Sequence, residues 1–142
     1  MGKRGEPMTA DAHLRSIAPF FIVSNLTRSL AFYKEVLGFS VRVAVPEPEP
    51  FFALIYRDDV ELSLKEIGPE VPPQPNHRRH EWAKWDASVF TGDPDALAEE
   101  FSQKTGLRTE LANTDDGLRG FEVEDPDGYV LFFGRPLTAA DG

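Results

Sequence analysis

His77 and His80 form a His-x-x-His pair. On a helix that spacing would set both imidazoles on one face, where they could chelate a transition metal. The pair begins in a proline-rich stretch beside Arg78 and Arg79, and two ligands alone make a weak site, so a solvated loop is the simpler reading. A shifted register would bring His80 near Asp86, with Glu61 joining them; that is the route to a metal centre. Glu61 would serve as a general base only if burial raised its pKa. Ser63 and Tyr56 would act as acid or base only with a partner the sequence does not show. Trp82 and Trp85 are the chain's two tryptophans, in "HEWAKWDASV". They read as a lid or stacking wall, or equally as interface anchors or a hydrophobic staple. Arg119 reads as a contact for an anionic group or as a surface arginine. There is no cysteine, which excludes disulfides, thiolate chemistry and zinc–cysteine sites. Neither a Gly-x-Ser-x-Gly elbow nor a phosphate-binding loop is present.

The elements that must position these groups fall into a repeated pattern. "IAPFFIVS" (17–24) is a short apolar run of strand formers. Asn25 caps a helix whose apolar residues Leu26, Leu30, Phe32 or Tyr33, and Leu37 recur at helical spacing, and Gly38 supplies its left-handed stop. Strands follow at 40–45, 51–57 and 60–66. The last alternates Val60, Leu62 and Leu64 on one face with Glu61, Ser63 and Lys65 on the other. Residues 68–79 hold four prolines and no periodicity. The pattern then restarts: a strand at 85–92, and a helix capped by Asp93, opened by Pro94 and ended by Gly106. Strands at 107–113, 118–124 and 129–134 complete it. In "EDPDGYVLFFG" (124–134) the acids crowd the turn and the strand after it carries none. The helices begin near residues 26 and 94, so one supersecondary unit is duplicated; a coincidental α+β domain is the alternative.

The expected organisation is one α+β domain. Residues 1–14 form a tail outside it. A unit at 15–68 and a unit at 80–137 are joined by a linker at 69–79. A length of 142 residues suits one domain, and a hydrophobic fraction of 41% suffices for a core. The net charge of −9 and pI of about 4.8 argue against a nucleic-acid partner or a polybasic membrane contact. They mildly favour a cationic small molecule. The N-terminal residues lack the apolar segment of a signal peptide, and no apolar run approaches the ~20 residues of a membrane span. A cytoplasmic location is expected.

Three stretches carry a resemblance. "FIVSNLTRSLAFYKEVLGF", "VFTGDPDALAEEF" and "FEVEDPDGYVLFF" together resemble the glyoxalase, bleomycin-resistance and extradiol-dioxygenase superfamily, the vicinal oxygen chelate fold, over roughly residues 17–136. The resemblance implies two βαβββ units in curved mixed sheets whose concave side forms a cup for a small molecule. In the family's enzymes the cup holds a divalent metal, bound by a His starting the first strand of each unit, a Glu in the last strand and a further group in the fourth strand. Carried onto this chain, those positions fall on Ala18 or Pro19, on Asp86, on Phe132, and on Glu61 or Ser63. Two of the four are lost and one is changed.

The same resemblance places Phe20 and Phe132 in the cup, with Asp86, Ser88 and Phe90 sharing it, unless the two phenylalanines are plain core. An aromatic cup with an acid at its edge suits planar rings and cations. The expectation is a metal-free small-molecule binder of the bleomycin-resistance type, with no cofactor. Its ligand-binding residues are Phe20, Ser63, Trp82, Trp85, Asp86 and Phe132, and the family's habit implies a homodimer. The alternatives are a metal-dependent lyase, isomerase or dioxygenase using Glu61, His80 and Asp86, and an interaction module without a ligand.

Overall fold

The computed structural model describes residues 12–142, so most of the expected 1–14 tail lies outside the described residues. The chain runs β1 (Phe20–Val23), α1 (Leu26–Glu35), β2 (Ser40–Val45), β3 (Phe52–Arg57), β4 (Val60–Glu66), β5 (Ala87–Phe90), α2 (Pro94–Ser102), β6 (Thr109–Asn113), β7 (Leu118–Glu124) and β8 (Val130–Pro136). The strands form two four-stranded sheets, ordered β1-β4-β3-β2 and β5-β8-β7-β6. In each sheet the first strand runs parallel to the last, and the rest are antiparallel. This is the expected pair of βαβββ units: a helix carries the chain over the crossover that a parallel neighbour requires.

Local chemistry sets the boundaries. Asn25 accepts from the Arg28 amide at 2.9 Å and Asp93 from the Ala96 amide at 3.0 Å. The Leu26 amide, another donor without a helical partner, is met by Glu66 Oε1 at 2.8 Å. Gly38 (φ 76°) turns the chain after α1 as its type requires. Several boundaries differ from the sequence reading, most by one or two residues, and three have a clear local cause. The first strand begins at Phe20 rather than Ile17, which is 87% exposed, because Pro19 has no amide to give a ladder. Helix α2 ends at Ser102, where the Phe101 carbonyl accepts from both Lys104 and Thr105, so Gly106 plays no part in its stop. The last strand continues past Gly134 because Arg135 and Pro136 still pair with Arg119 and Leu118.

Strand alternation sorts the faces. Phe21 and Val23, Leu62 and Leu64, Ala53 and Ile55 point toward the helices, as do Phe121, Val123, Leu131 and Phe133 in the second sheet. Tyr33 and Phe101, wholly buried on α1 and α2, fill the two helix–sheet layers. Phe101 meets Phe121 and Phe133 edge-on at 6.0 and 5.2 Å. Each such ring contributes on the order of 1.5–3 kcal/mol by burial. The opposite sheet faces carry Phe20 and Ser63, which are register partners, and Ser88 and Phe132, which are partners as well. Those faces hold the candidate site.

Candidate functional site

Phe132 is 2% exposed, although it lies on the face away from the helices. Two features bury it. Beneath the ring, the paired Gly120 and Gly134 leave the backbone bare: a Cβ on Gly134 would stand 2.6 Å from Phe132 Cε2. Above it, the Trp85 indole stacks at 4.2 Å, 18° from parallel. The indole N–H donates to Glu122 Oε2 at 2.8 Å, and Glu122, the register partner of Phe132, faces Arg108 Nε at 3.4 Å. The arrangement is a layered aromatic platform with a carboxylate–guanidinium pair at its edge. It can accept a planar ring on the indole and a charged arm beside Glu122.

Phe20 and Asp86 line a separate cleft of about 700 Å³, together with Ile22, Gln74, Arg79 and Tyr129. Phe20 is 57% exposed and leans toward Phe52 at 6.4 Å. Ser63 lies beside it in the sheet, with only 9% exposure. Trp82 stands apart: it is 80% exposed, with its ring edge-on to His80 at 5.3 Å. The six expected residues are therefore divided among a platform (Trp85, Phe132), a cleft with Ser63 at its side (Phe20, Asp86) and an exposed loop (Trp82). Glu122, Arg108 and the glycine pair were not singled out from the sequence. The alternation in "LRGFEVE" against "YVLFFG" would have placed Glu122 opposite Phe132 had the hairpin register been carried through.

The positions that would hold a divalent metal do not fit one. Ala18 and Pro19 offer no donor side chain. Asp86 uses both oxygens on backbone amides: Oδ1 accepts from Asn76 and Oδ2 from Val130, each at 2.9 Å. Glu61 is engaged by Arg42 at 3.2 Å and by the Ser16 hydroxyl at 2.9 Å. His77 Nε2 lies 2.8 Å from the Gly128 carbonyl, and His80 Nδ1 accepts from the Trp82 amide. Among the described residues no three His, Asp or Glu side chains are grouped to hold a metal, so Glu61, His80 and Asp86 are not brought together. Arg119 forms a two-pronged pair with Asp95 at 2.9 and 2.8 Å, the surface role.

The acids of "EDPDG" do more than shape a turn. Asp125 and Asp127 are 4% and 6% exposed. Asp125 accepts from the Tyr33 hydroxyl at 2.8 Å and from the amides of Asp127 and Tyr129. Asp127 accepts from the Ser24 amide and hydroxyl, from Arg28 at 2.9 Å and from the Ser29 hydroxyl. Tyr129 stacks on Phe21 at 4.3 Å and donates to the Ile22 carbonyl at 2.6 Å. The turn of the second unit is thereby clamped onto the start of α1 in the first. Burial raises the Asp125 carboxyl to about 6, against the lowering effect of its three donors. Burial, then the Asp125 charge, raises the Tyr33 hydroxyl well above its ordinary range. The sequence signal for this clamp was the pair of hydroxyl-bearing residues, Ser29 and Tyr33, on the otherwise apolar face of α1.

Comparison with known proteins bears on this arrangement. A family model described as the Glyoxalase/Bleomycin resistance protein/Dioxygenase superfamily matches residues 12–133. No curated protein matches the chain by sequence. Similar solved structures include the bleomycin-binding protein of Streptomyces verticillus, complexed with copper(II)-bleomycin. It has 20% identity, a TM-score of 0.65, and a match spanning 89% of this chain and 100% of that one. TnmS3, an antibiotic binding protein from Streptomyces sp. CB03234, has 22% identity and a TM-score of 0.63 over 92% and 100%. A glyoxalase-related enzyme from Clostridium phytofermentans has 14% identity and a TM-score of 0.68 over 91% and 100%. At such identities the likeness is one of fold.

Proposed function

From the premise that this chain belongs to the glyoxalase/bleomycin resistance protein/dioxygenase superfamily, we propose that it is a metal-free small-molecule binding protein, sequestering a planar or cationic ligand such as an antibiotic. The observation that carries the reading is Phe132. It stands where the family resemblance puts a metal-binding glutamate, and here it is the base of the Phe132–Trp85 stack. A stacked platform binds a ring through dispersion and the ring quadrupole, contributions of ~0.5–1.5 kcal/mol per ring pair beyond burial. Phe20, Ser63, Trp82 and Asp86 belong to the same proposal as ligand contacts supplied from the neighbouring cleft and the exposed loop rather than from the platform itself. Phe20 and Phe90 remain 57% and 65% exposed on sheet faces, and a homodimer would cover them. The reading takes the chain as one domain of units 15–68 and 80–137 in the cytoplasm. No helix among the described residues is long and apolar enough to cross a membrane.

The test is calorimetric titration of the metal-stripped protein with copper(II)-bleomycin and with ethidium, a planar cation, for wild type and Trp85→Ala. Binding of either probe by the stripped protein, with ethidium needing no metal at all, and weakened about tenfold in the variant, supports the reading; that factor corresponds to ~1.4 kcal/mol. A stoichiometric metal retained from expression, or binding by neither probe, overturns it. Unchanged affinity in the variant removes Trp85 from the site.

A further inference from the structure

The two units correspond by a shift of 68 residues: Phe20 to Ser88, Asn25 to Asp93 and Tyr33 to Phe101. Their hairpins do not correspond in length. The β7–β8 hairpin is closed by Glu124 and Val130 and carries Asp125–Tyr129 between them. The β3–β4 hairpin is closed by Arg57 and Val60 and carries only Asp58 and Asp59. The long turn covers the start of α1 by laying Tyr129 on Phe21 and Asp127 on Ser24, Arg28 and Ser29.

At the start of α2 the same shift gives Val89 for Phe21, Gly92 for Ser24, Ala96 for Arg28 and Leu97 for Ser29. Every polar anchor has become apolar or has no side chain, and the short hairpin brings no ring. What remains is a cleft of about 250 Å³ floored by Phe39, Val89, Leu97, Phe101 and Phe133, with Asp58 and Asp59 at its mouth. Asp58 is almost wholly exposed, with only Arg57 Nε nearby at 4.0 Å. Asp59 has no hydrogen-bond or ion-pair partner among the described residues. The Arg57 guanidinium also lines the cleft beside Asp58, but it is held by Glu100 at 2.8 and 3.1 Å and by the Leu37 carbonyl, so its one charge is shared among three carboxylates and the mouth stays acidic on balance. The cleft opens on the helix-side face of the second sheet, where Phe133 and Val89 point, and not on the face that carries Phe132 and Trp85.

We propose that this cleft is a second binding site, for a small hydrophobic amine whose ring takes the place that Tyr129 takes in the other half and whose ammonium meets Asp58 and Asp59. The volume lies just under the ~300–1,000 Å³ of drug-sized ligand sites, which limits the occupant to a single ring system with a short arm. An excess of carboxylate over guanidinium at an apolar mouth selects the cation over its neutral or anionic counterpart.

The experiment is a titration of the full chain by methyl and amide NMR with tryptamine, indole and indole-3-acetate. Tryptamine is expected to shift the Val89 and Leu97 methyl signals. Indole should bind about two- to fivefold more weakly, the worth of an exposed ion pair, and indole-3-acetate more weakly still. Asp58→Asn with Asp59→Asn should bring tryptamine to the level of indole. Asp59→Tyr, which supplies the missing ring, should abolish the shifts. Three results would overturn the proposal: silence of the Val89 and Leu97 signals, equal binding of all three probes, or shifts confined to Trp85 and Phe132. A second copy of the chain seated in the cleft, read as dilution-dependent shifts of the same methyls without probe, would overturn it as well.

Discussion

Replacing Asp125 by Asn isolates one buried carboxyl and turns its environment into a measurable pH dependence. Burial lifts this group from 3.8 to about 6 in the folded protein. A raised acid binds its proton more tightly folded than unfolded, so it favours folding as pH falls toward 4 and opposes it above 6. With one pKa unit worth 1.36 kcal/mol, the ionised group costs ~3 kcal/mol at neutral pH. Between pH 7.5 and pH 5 the linkage relation returns about 1.4 kcal/mol of that. Asn keeps the shape. Its carbonyl can accept from the Asp127 and Tyr129 amides, and its amide can donate to the Tyr33 hydroxyl. The variant should be at least as stable as wild type at pH 7.5 and lose the gain that wild type shows on acidification. The assay is the thermal midpoint of both proteins at pH 5, 6 and 7.5. Subtracting the two profiles cancels the shared groups that do not interact with Asp125. About 1.4 kcal/mol corresponds to a difference of roughly 3–6 °C for a chain of this size. Glu100, held low by Arg57, and Asp95, held low by Arg119, lose their contributions as pH falls through their ordinary values of 4.5 and 3.8, below this window. Parallel profiles for the two proteins would refute the reasoning. They would mean that Tyr33 and the two amides hold the carboxylate ionised through the whole range.

Other perturbations test the remaining parts. Asp127→Ala strips the Ser24, Arg28 and Ser29 contacts from the start of α1 and should cost ~2–3 kcal/mol in chemical denaturation, since it leaves donors unpaired beside a partly exposed arginine. Gly134→Ala places a methyl against the Phe132 ring and the Arg119 carbonyl; it should cost ~1–3 kcal/mol and alter the near-ultraviolet dichroism of the Trp85–Phe132 stack. Arg119→Ala breaks only exposed contacts, the pair with Asp95 and a hydrogen bond to Asn113, and should leave the denaturation midpoint and ligand affinity where they were.

Much of the architecture was legible because it rests on local rules. Asn25, Asp93, Pro94 and Gly38 each do at one position what their side chains or backbone permit, and the alternation of β4 sorted Val60, Leu62 and Leu64 from Glu61, Ser63 and Lys65. The expectation that Phe132 faces the cup comes instead from the family resemblance, with plain core as the other reading. What local rules do not carry is contact across long sequence separations. The register that sets Glu122 against Phe132, and hence under the Trp85 N–H, needs the hairpin pairing. The destination of Asp127 needs the packing of one unit on the other. Asp86 looked like an available ligand because its two backbone partners, Asn76 and Val130, lie 10 and 44 residues away. Trp82 and Trp85 are three residues apart in sequence yet fare differently, since only Trp85 reaches the glycine-backed ring.

The clamp of the Asp125–Tyr129 turn on α1 also fixes how the molecule comes apart. A chain of two repeated units invites the picture of two beads that melt separately. Here α1 begins under a carboxylate from the far unit, and Lys104 on the C-terminal side of α2 reaches back to the Glu35 carbonyl at 3.0 Å. Both ends of α1 thus lose a partner once the second unit opens. Amide protons of α1 and β8 should therefore exchange with solvent through a single shared opening of the whole chain, so that the repeat is a record of ancestry and the folding unit is the pair.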